Sequence, residues 1–401
     1  MGIDIPGFIR YLREGRLQAA YAVIRQKNPL PSVCGRICAA PCQRVCVLNE
    51  EKAPIAIRAL ERFVSDHGGV RSVEKRYSFS RRVAIIGSGP SGLAAADVLN
   101  QKGYGATIFE AMDEPGGAPR QGVPEFRLPW RRVAQDIKDL RARGIDIKTA
   151  RFMARPSVLA DLWREGFSAV LLAPGSGVPR WVEIPGTHWG GVYYGEEFLL
   201  RVNRRRQGWG RPVINIPLGR ESAVIGTGPM ALDCARALVR LGSRVTVVFP
   251  RSDDETFPEE DRTMAEEEGV MFESLVKPLA IQGDRDGWVN GLKCRRLDYA
   301  EAETGGVQWT LQEVPASEFV LKASTVILAV GQRPNTFIQR FLKDLKLNED
   351  GTIAVDPVSR MTSIDKVFAA GNGVLGPGSL ARAMADGKRA AEAMDAYLKF
   401  L

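Results

Sequence analysis

Two glycine-rich segments have the residue types and the spacing needed to bind the diphosphate of a dinucleotide. Each follows a short apolar run and precedes an alanine-rich stretch, within residues 83–101 and 222–240. This order is typical of a parallel strand that turns tightly into a helix, whose N-terminal N–H groups and dipole favour a bound phosphate. The first glycine permits the turn, the second lets a pyrophosphate approach the backbone, and the third small residue lets helix and strand pack closely. The candidate residues are Gly87, Ser88, Gly89, Pro90, Ser91 and Gly92 in the first segment, and Gly226, Gly228, Pro229, Met230 and Ala231 in the second.

The residue that ends the next predicted strand differs between the two units. Glu110 follows the strand predicted at residues 106–109, where an acidic residue binds the ribose hydroxyls of a dinucleotide. In the second unit Pro250 and Arg251 follow the strand predicted at residues 245–249, without an acid. An acid there would repel a 2′-phosphate, whereas arginine attracts it. We therefore expect NADP(H) rather than NAD(H) in the second unit; the alternative is that Arg251 is only a surface residue.

Four of the six cysteines lie close together, at the spacing C-x₃-C-x₃-C-x₃-C: Cys34, Cys38, Cys42 and Cys46. Such a cluster, in a sequence without a recognisable export signal, indicates metal or redox chemistry rather than a disulfide framework. Four thiolates suffice for one [4Fe–4S] cluster, and this is the interpretation that we favour. A zinc site and a remnant that binds no metal stay open as alternatives. Cys234 and Cys294 have no C-x-x-C partner, so we expect them in the core.

Composition limits the other function classes. A chain of 401 residues is long enough for two or three domains. With only two histidines, a histidine-rich metal site is excluded and a histidine-based triad is disfavoured. No apolar run approaches the ~20 residues that span a bilayer, and we expect a cytoplasmic protein. The net charge is +8, and the basic run at residues 204–206 predicts a solvated loop or a docking surface for an acidic partner rather than a nucleic-acid site.

The cysteines lie between two predicted helices. The apolar positions of residues 3–26 follow a period near 3.6 and predict one helix. Residues 54–65 predict a second helix, with Pro54 in its first turn. Residues 70–80 are polar and basic, which is typical of a linker.

Several segments, in the same order along nearly the whole chain, resemble the small (beta) subunit of bacterial glutamate synthase and the corresponding N-terminal part of dihydropyrimidine dehydrogenase. They are Ile5-Pro6-Gly7-Phe8-Ile9, Cys34-Gly35-Arg36-Ile37-Cys38, Gly116-Gly117, Gly122-Val123-Pro124-Glu125-Phe126-Arg127-Leu128-Pro129, Gly191-Val192-Tyr193, Glu197-Phe198-Leu199 and Gly331-Gln332-Arg333-Pro334-Asn335.

The resemblance implies an α/β fold with two Rossmann-like dinucleotide-binding domains, preceded by a small helical domain of the iron–sulfur type. The implied domains are the helical domain at 1–75, a discontinuous FAD-binding domain at 80–200 plus 340–401, and an inserted NAD(P)H-binding domain at 201–339. It also implies an NAD(P)H-dependent flavoprotein oxidoreductase that transfers hydride between NADP(H) and FAD and passes electrons through an iron–sulfur cluster to a partner subunit. The implied FAD contacts are Gly87, Gly89, Pro90, Ser91, Glu110, Gly117, Arg127, Gly371 and Asn372.

This sequence departs from the family in three places. The cysteine-rich segment that relatives carry upstream of Ile5 is missing from it, so we expect at most one complete cluster, with Glu61 at a position that supplies a ligand in relatives. Asn372 stands where relatives have the aspartate that binds the ribityl chain of the flavin. Pro250 replaces the first of two arginines that bind the nucleotide in relatives. These departures keep two alternatives open: a structural or regulatory flavin subunit of a larger redox complex, and a stand-alone flavin reductase.

Overall fold

The computed structural model describes residues 1–49, 53–68, 81–206, 216, 218–252, 257–301 and 309–400. No helix within these residues is long and apolar enough to cross a membrane. The predicted linker at 70–80 and most of the basic run lie outside the described residues or have undescribed side chains. The chain divides into two compact units: one comprises residues 1–121, 125–178 and 333–401, and the other comprises residues 122–124 and 179–332.

The chain begins with short helices that pack on one another: α1 (Ile5–Arg13), α2 (Leu17–Lys27), α3 (Pro31–Ile37), α4 (Pro41–Arg44) and α5 (Ile57–His67). The prediction of one helix at residues 3–26 is wrong, because Gly15 adopts a positive φ of 71° and ends the first helix. Helix α5 begins at Ile57 rather than near Pro54, so Pro54 is not in its first turn. Phe8, Ile24 and Val64 are fully buried in the core that these helices share.

The first unit also contains a parallel sheet made of β1 (Arg82–Ile86), β2 (Gly105–Phe109), β3 (Asp146–Lys148), β4 (Phe167–Leu172) and β15 (Val367–Ala369). The strand order is β15-β4-β1-β2-β3. The central strands β4, β1 and β2 are nearly continuous apolar runs because helices cover both faces of a parallel sheet, whereas the edge strand β3 has an exposed Asp146. The helices of this region are α6 (Pro90–Gln101), α7 (Ala118–Gln121), α8 (Trp130–Ala142), α9 (Val158–Arg164), α13 (Asn372–Leu375) and α14 (Leu380–Lys399).

The second unit repeats this arrangement with β6 (Val192–Tyr194), β7 (Glu221–Gly226), β8 (Arg244–Val248), β9 (Val270–Glu273) and β13 (Thr325–Ala329), in the order β6-β13-β7-β8-β9. Its helices are α10 (Gly195–Arg206), α11 (Pro229–Arg240) and α12 (Glu259–Glu267). An antiparallel sheet is added by β10 (Val276–Gly283), β11 (Val289–Glu301) and β12 (Trp309–Lys322). The short strands β5 (Ser176–Pro179) and β14 (Gln332–Pro334) pair with each other.

Two strand pairings decide which segments belong together. Strand β15 pairs with β4, so the C-terminal part of the chain completes the first sheet. Strand β6 pairs with β13, so residues 192–194 form an edge of the second sheet. The resemblance implies that residues 179–200 belong to the FAD domain and residues 333–339 to the NAD(P)H domain. In the structure residues 179–200 lie in the second unit and residues 333–339 in the first.

Candidate functional site

The turn from β1 into α6 has the backbone geometry that a bound diphosphate requires. Gly87 has a φ of 108°, and a Cβ atom on it would lie 2.3 Å from the carbonyl oxygen of Ala173. A Cβ atom on Gly92 would lie 2.0 Å from the carbonyl oxygen of Gly87, so only glycine lets the helix pack this closely on the turn. At Gly89, by contrast, no described atom beyond its neighbours in the chain lies within 4 Å of a Cβ position. The helix N-terminus therefore faces open space at Gly89, where a pyrophosphate can approach the backbone.

The strand order places this turn at a topological switch point of the sheet. The chain runs from β1 to β2 on one side, whereas β4 lies on the other side of β1. Ligands of open α/β sheets bind at such a switch point, outside the carboxyl ends of the strands.

The Glu110 carboxylate is held against the same turn. It accepts the backbone N–H groups of Ser88 and Met112, both at 2.9 Å, and a short hydrogen bond from the Ser88 hydroxyl. Ser88 Oγ in turn accepts the N–H of Gly116 at 3.0 Å. A carboxylate has about four acceptor positions, so Glu110 retains capacity for a ribose hydroxyl.

Two other segments that the resemblance assigns to the flavin site, Gly116-Gly117 and Gly371-Asn372, also lie against this turn. A Cβ atom on Gly117 would lie 2.7 Å from Gly89 Cα, so the Gly116-Gly117 pair packs on the glycine turn. A Cβ atom on Gly371 would lie 2.6 Å from Ser91 Cβ, which brings the Gly371-Asn372 turn to the start of α6. Arg127 is half-buried on the loop between α7 and α8, and its assignment as an FAD contact stays a prediction.

Two orphaned polar atoms at these turns match the requirements of a polar cofactor such as FAD. Ser91 Oγ and Asn372 Oδ1 are buried and have no hydrogen-bond partner among the residues that the structure describes. Buried polar atoms in native proteins are normally satisfied, so both atoms are available to hydrogen-bond a polar ligand. The Asn372 side-chain amide meanwhile donates to Ser176 Oγ at 3.4 Å.

The turn from β7 into α11 repeats the first in the second unit. A Cβ atom on Gly226 would lie 2.1 Å from the carbonyl oxygen of Ala329, whereas no described atom beyond the chain neighbours lies within 4 Å of one on Gly228. Pro229 opens α11, and Met230 packs on Gly195. The order β13-β7-β8 again makes a switch point at the carboxyl end of β7. At the second turn, as at the first, a pyrophosphate can therefore approach the backbone.

Arg251 follows β8 on the side of the second turn where an adenosine ribose is expected. Its side chain is exposed, and its carbonyl oxygen accepts the N–H of Leu275 at 3.2 Å. An exposed guanidinium at this place has the charge and geometry to bind a 2′-phosphate.

The clustered cysteines do not form a ready coordination shell. Burial is the largest cause that raises the pKa values of the Cys34, Cys38 and Cys42 thiols, and the charge of Glu61 raises each of them further. Cys34 Sγ lies 3.6 Å from Asn28 Oδ1 and 3.8 Å from Met384 Sδ. Within the described parts of the chain, no group of three or more histidine, cysteine, aspartate or glutamate side chains is arranged to hold a metal ion. Cys34, Cys38, Cys42 and Cys46 as four ligands of one cluster therefore stay a prediction.

Glu61 is the acidic neighbour of these thiols. Burial raises its pKa to about 7, although Asn28 donates a hydrogen bond of 2.6 Å to its carboxylate. Because the pKa values of Cys34, Cys38 and Cys42 are raised, a metal that binds these thiols must displace their protons, and its affinity should depend on pH.

Sequence reasoning missed two residues at the flavin-type turns. Ser176 Oγ accepts a hydrogen bond from the Asn372 side-chain amide at 3.4 Å, and the Asp386 carboxylate accepts the N–H of Gly371 at 2.8 Å. Neither residue belongs to a recognisable motif, and only the folded chain brings them to the turn.

Two family models match the chain. The model described as "Pyridine nucleotide-disulphide oxidoreductase" matches residues 81–387. The model described as "Dihydroprymidine dehydrogenase domain II, 4Fe-4S cluster" matches residues 1–72. Together they cover the helical region with the cysteines and both glycine turns.

Curated relatives align over almost the whole chain. The beta subunit of the NADP(+)-dependent formate dehydrogenase of Moorella thermoacetica is 34% identical, over 99% of this chain and 59% of the relative. The beta subunit of the NADPH-Fe(3+) oxidoreductase of Geobacter sulfurreducens is 31% identical, over 99% of this chain and 62% of the relative. The small chain of the NADPH glutamate synthase of Azospirillum brasilense is 32% identical, over 99% of this chain and 84% of the relative. This chain thus spans about three fifths of the length of the first two relatives.

Solved structures share the fold. FprA from Mycobacterium tuberculosis in complex with NADPH superposes with a TM-score of 0.62 at 18% identity, covering 80% of this chain and 85% of FprA. The thioredoxin reductase of Lactococcus lactis superposes with a TM-score of 0.56 at 21% identity, covering 80% of this chain and 100% of the reductase. The α/β fold with two Rossmann-like sheets is therefore confirmed.

Proposed function

Because this chain belongs to the pyridine nucleotide-disulphide oxidoreductase family, and within it to the group that includes the small chain of glutamate synthase, we propose that it transfers hydride between NADP(H) and FAD as part of a larger redox enzyme. One observation carries this proposal: each unit has a glycine turn that opens onto space at the switch point of a parallel sheet. Two such turns match two dinucleotides.

The residues of the first unit support FAD binding. The α6 N-terminus and the open position at Gly89 would receive the pyrophosphate, and Glu110 would bind the adenosine ribose. Ser91 and Asn372 would satisfy their orphaned atoms on the cofactor. A bound flavin supplies the chemistry, since it takes up a hydride as two electrons and releases electrons one at a time.

The residues of the second unit support NADP(H). Gly228 and the α11 N-terminus would bind the pyrophosphate, and Arg251 would pair with the 2′-phosphate. The names of the formate dehydrogenase and glutamate synthase relatives specify NADP(+) or NADPH. The protein's contribution to hydride transfer is then to hold the two cofactors in position.

We further propose that residues 1–72 hold one [4Fe–4S] cluster and that the electron partner is another subunit. The matching family model carries a 4Fe-4S cluster in its description, and the relatives are named as beta subunits or small chains. Because the thiols do not form a coordination shell in this structure, the ligand set rests on the sequence pattern.

An anaerobic visible spectrum of the purified chain tests the proposal, with NADPH and NADH titrated separately and iron and sulfide measured on the same sample. We expect a flavin band that NADPH bleaches at lower concentration than NADH, and roughly four irons per chain. A flavin that stays oxidised with both nucleotides would select a structural or regulatory subunit. A flavin that turns over with a dye in a chain without iron would select a stand-alone flavin reductase.

A further inference from the structure

We infer that Asp386 is a positioning residue for the flavin: its buried carboxylate fixes the Gly371-Asn372 turn and ties it, through α14, to the pyrophosphate turn at the start of α6. This inference rests on the proposed FAD binding and deepens it. Nothing in the sequence motifs assigns a role to Asp386.

The Asp386 carboxylate is fully buried and fully engaged. Gly371 donates its backbone N–H to Asp386 Oδ2 at 2.8 Å. Arg360 Nη2 lies 2.8 Å and 2.7 Å from the two carboxylate oxygens, and Arg389 Nη2 lies 2.9 Å from Oδ1. Asp386 is 0% exposed, and the Arg360 side chain is only 9% exposed. Charge-assisted hydrogen bonds of this kind are about twice as strong as neutral ones, so the carboxylate fixes its partners firmly.

These contacts determine where the Gly371-Asn372 turn lies. Gly371 has a φ of 79°, so the turn depends on a conformation that other residues rarely adopt, and its buried N–H needs an acceptor. Arg360 is itself fixed to β15, because its carbonyl oxygen accepts the N–H of Ala369 at 3.2 Å. Asp386 therefore joins the segment before β15, the turn after β15 and helix α14.

The next residue of α14 extends the link to the pyrophosphate turn. A Cβ atom on Gly387 would lie 2.1 Å from the carbonyl oxygen of Ser91, so α14 approaches the start of α6 as closely as the backbone allows. Gly371 also packs on Ser91, since its Cβ position lies 2.6 Å from Ser91 Cβ. Asp386 and Gly387 thus hold the turn at Asn372 and the turn at Ser91 in one fixed arrangement.

The same two turns carry the orphaned atoms. Ser91 Oγ and Asn372 Oδ1 are both buried and without partners within the described part of the chain. Asn372 contributes no charge at the place where relatives have an aspartate. The buried anion beside this turn is supplied instead by Asp386, which acts on the cofactor only through the Gly371 backbone.

Asp386→Ala and Asp386→Asn, made in the full chain, test this role. Asp395→Asn is the matched control: Asp395 is on the same helix, is 5% exposed, and pairs with Lys102 at 2.7 Å. Flavin-free protein is titrated with FAD, and then with ADP as a competitor, because ADP carries only the half of the cofactor that binds near Gly89 and Glu110. The urea midpoint of each flavin-free variant records its loss of stability.

We expect Asp386→Ala to weaken FAD binding roughly 10- to 100-fold, the effect of losing a hydrogen bond to a charged group, and to leave the affinity for ADP unchanged. Asp386→Asn should also weaken FAD binding without changing the affinity for ADP. Its effect on FAD affinity should be smaller, because the amide oxygen of the new side chain still accepts the Gly371 N–H. Asp395→Asn should lower the urea midpoint without changing FAD affinity.

Unchanged FAD affinity in both Asp386 variants would overturn the inference, as would an equal loss for FAD and ADP or the same FAD loss in Asp395→Asn. If the wild-type chain binds FAD, those outcomes leave the proposed function intact. A wild-type chain that binds no FAD would overturn the proposed function and this inference together.

Discussion

Replacing Gly89 with aspartate should weaken cofactor binding at the first glycine turn without destabilising the fold. Gly89 precedes α6 with φ −68° and ψ 176°, an extended conformation that any residue adopts. No described atom beyond the chain neighbours of Gly89 would lie within 4 Å of a new Cβ atom. Aspartate is also a preferred residue at the N-cap of a helix. We therefore expect Gly89→Asp to keep the unfolding free energy of the flavin-free protein within about 0.5 kcal/mol of wild type.

Binding should respond very differently, because the open space at Gly89 is where the pyrophosphate would lie. Two like charges ~4 Å apart repel by about 1 kcal/mol in water and by about 4 kcal/mol at the effective dielectric of a protein surface. The new side chain would also occupy the volume that the phosphates need. Taking about 4 kcal/mol as the loss, we expect FAD affinity to fall by roughly 1,000-fold.

Flavin content after purification and FAD titration of the flavin-free protein measure the binding, and urea unfolding measures the stability. Gly89→Ala controls for size without charge and should lose less affinity. Gly92→Ala is the opposite control, because its Cβ atom would lie 2.0 Å from the Gly87 carbonyl oxygen and should lower stability as well. A Gly89→Asp protein that retains flavin with wild-type affinity would refute the assignment of this turn to the pyrophosphate.

Three further predictions concern other parts of the chain. Arg251→Ala should raise the KM for NADPH roughly 10- to 100-fold and change the KM for NADH little; an equal change for both would contradict a 2′-phosphate contact. Burial raises the pKa of Glu268, but hydrogen bonds from Arg236 and Arg240 outweigh it and lower the pKa to about 2. Glu268→Gln should therefore cost about 1–3 kcal/mol of unfolding free energy at pH 7, with a difference from wild type that shrinks as the pH falls below about 4.5; a difference that does not change with pH would count against the ion pair. For Asp136, burial outweighs the hydrogen bonds from Ser32 and Val33 and raises the pKa to about 7. The native state then binds the proton that the unfolded state has released, so wild-type stability should fall as the pH rises from about 4 to 7, and Asp136→Asn should reduce that fall in urea titrations; identical pH profiles would show that Asp136 is ionised in the native state.

Local sequence patterns were enough to predict the two strand–turn–helix units. The strand predicted at Val83 is β1, which the structure extends by one residue to Arg82, and the helix after it ends at Gln101 as expected. The prediction succeeded because a buried parallel strand, a glycine turn and an alanine-rich helix are each specified by neighbouring residues. The resemblance to the glutamate synthase small subunit, which the comparisons confirm, extended this to the whole chain.

The helical region shows where local patterns fail. The apolar period of residues 3–26 continues across Gly15, but the positive φ of Gly15 separates α1 from α2 so that both helices pack in one small core. Periodicity records which residues are apolar and not whether the helix axis continues through them. The arrangement of the cysteine side chains likewise depends on packing, as the contact between Cys34 and Met384 shows.

The sequence by itself determined the α/β class, the two glycine turns and the difference between Glu110 and Arg251, because each depends on residues that are close together in the chain. Only the tertiary structure decided that β6 belongs to the second sheet, that Gly371 and Gly387 both pack on Ser91, and that Asp386 holds the Gly371 turn. These features arise from contacts between segments that are far apart in sequence or that carry no motif. The partner of a strand edge or of a buried carboxylate is decided only when distant segments pack together, since most polar groups that become buried need a hydrogen-bond partner.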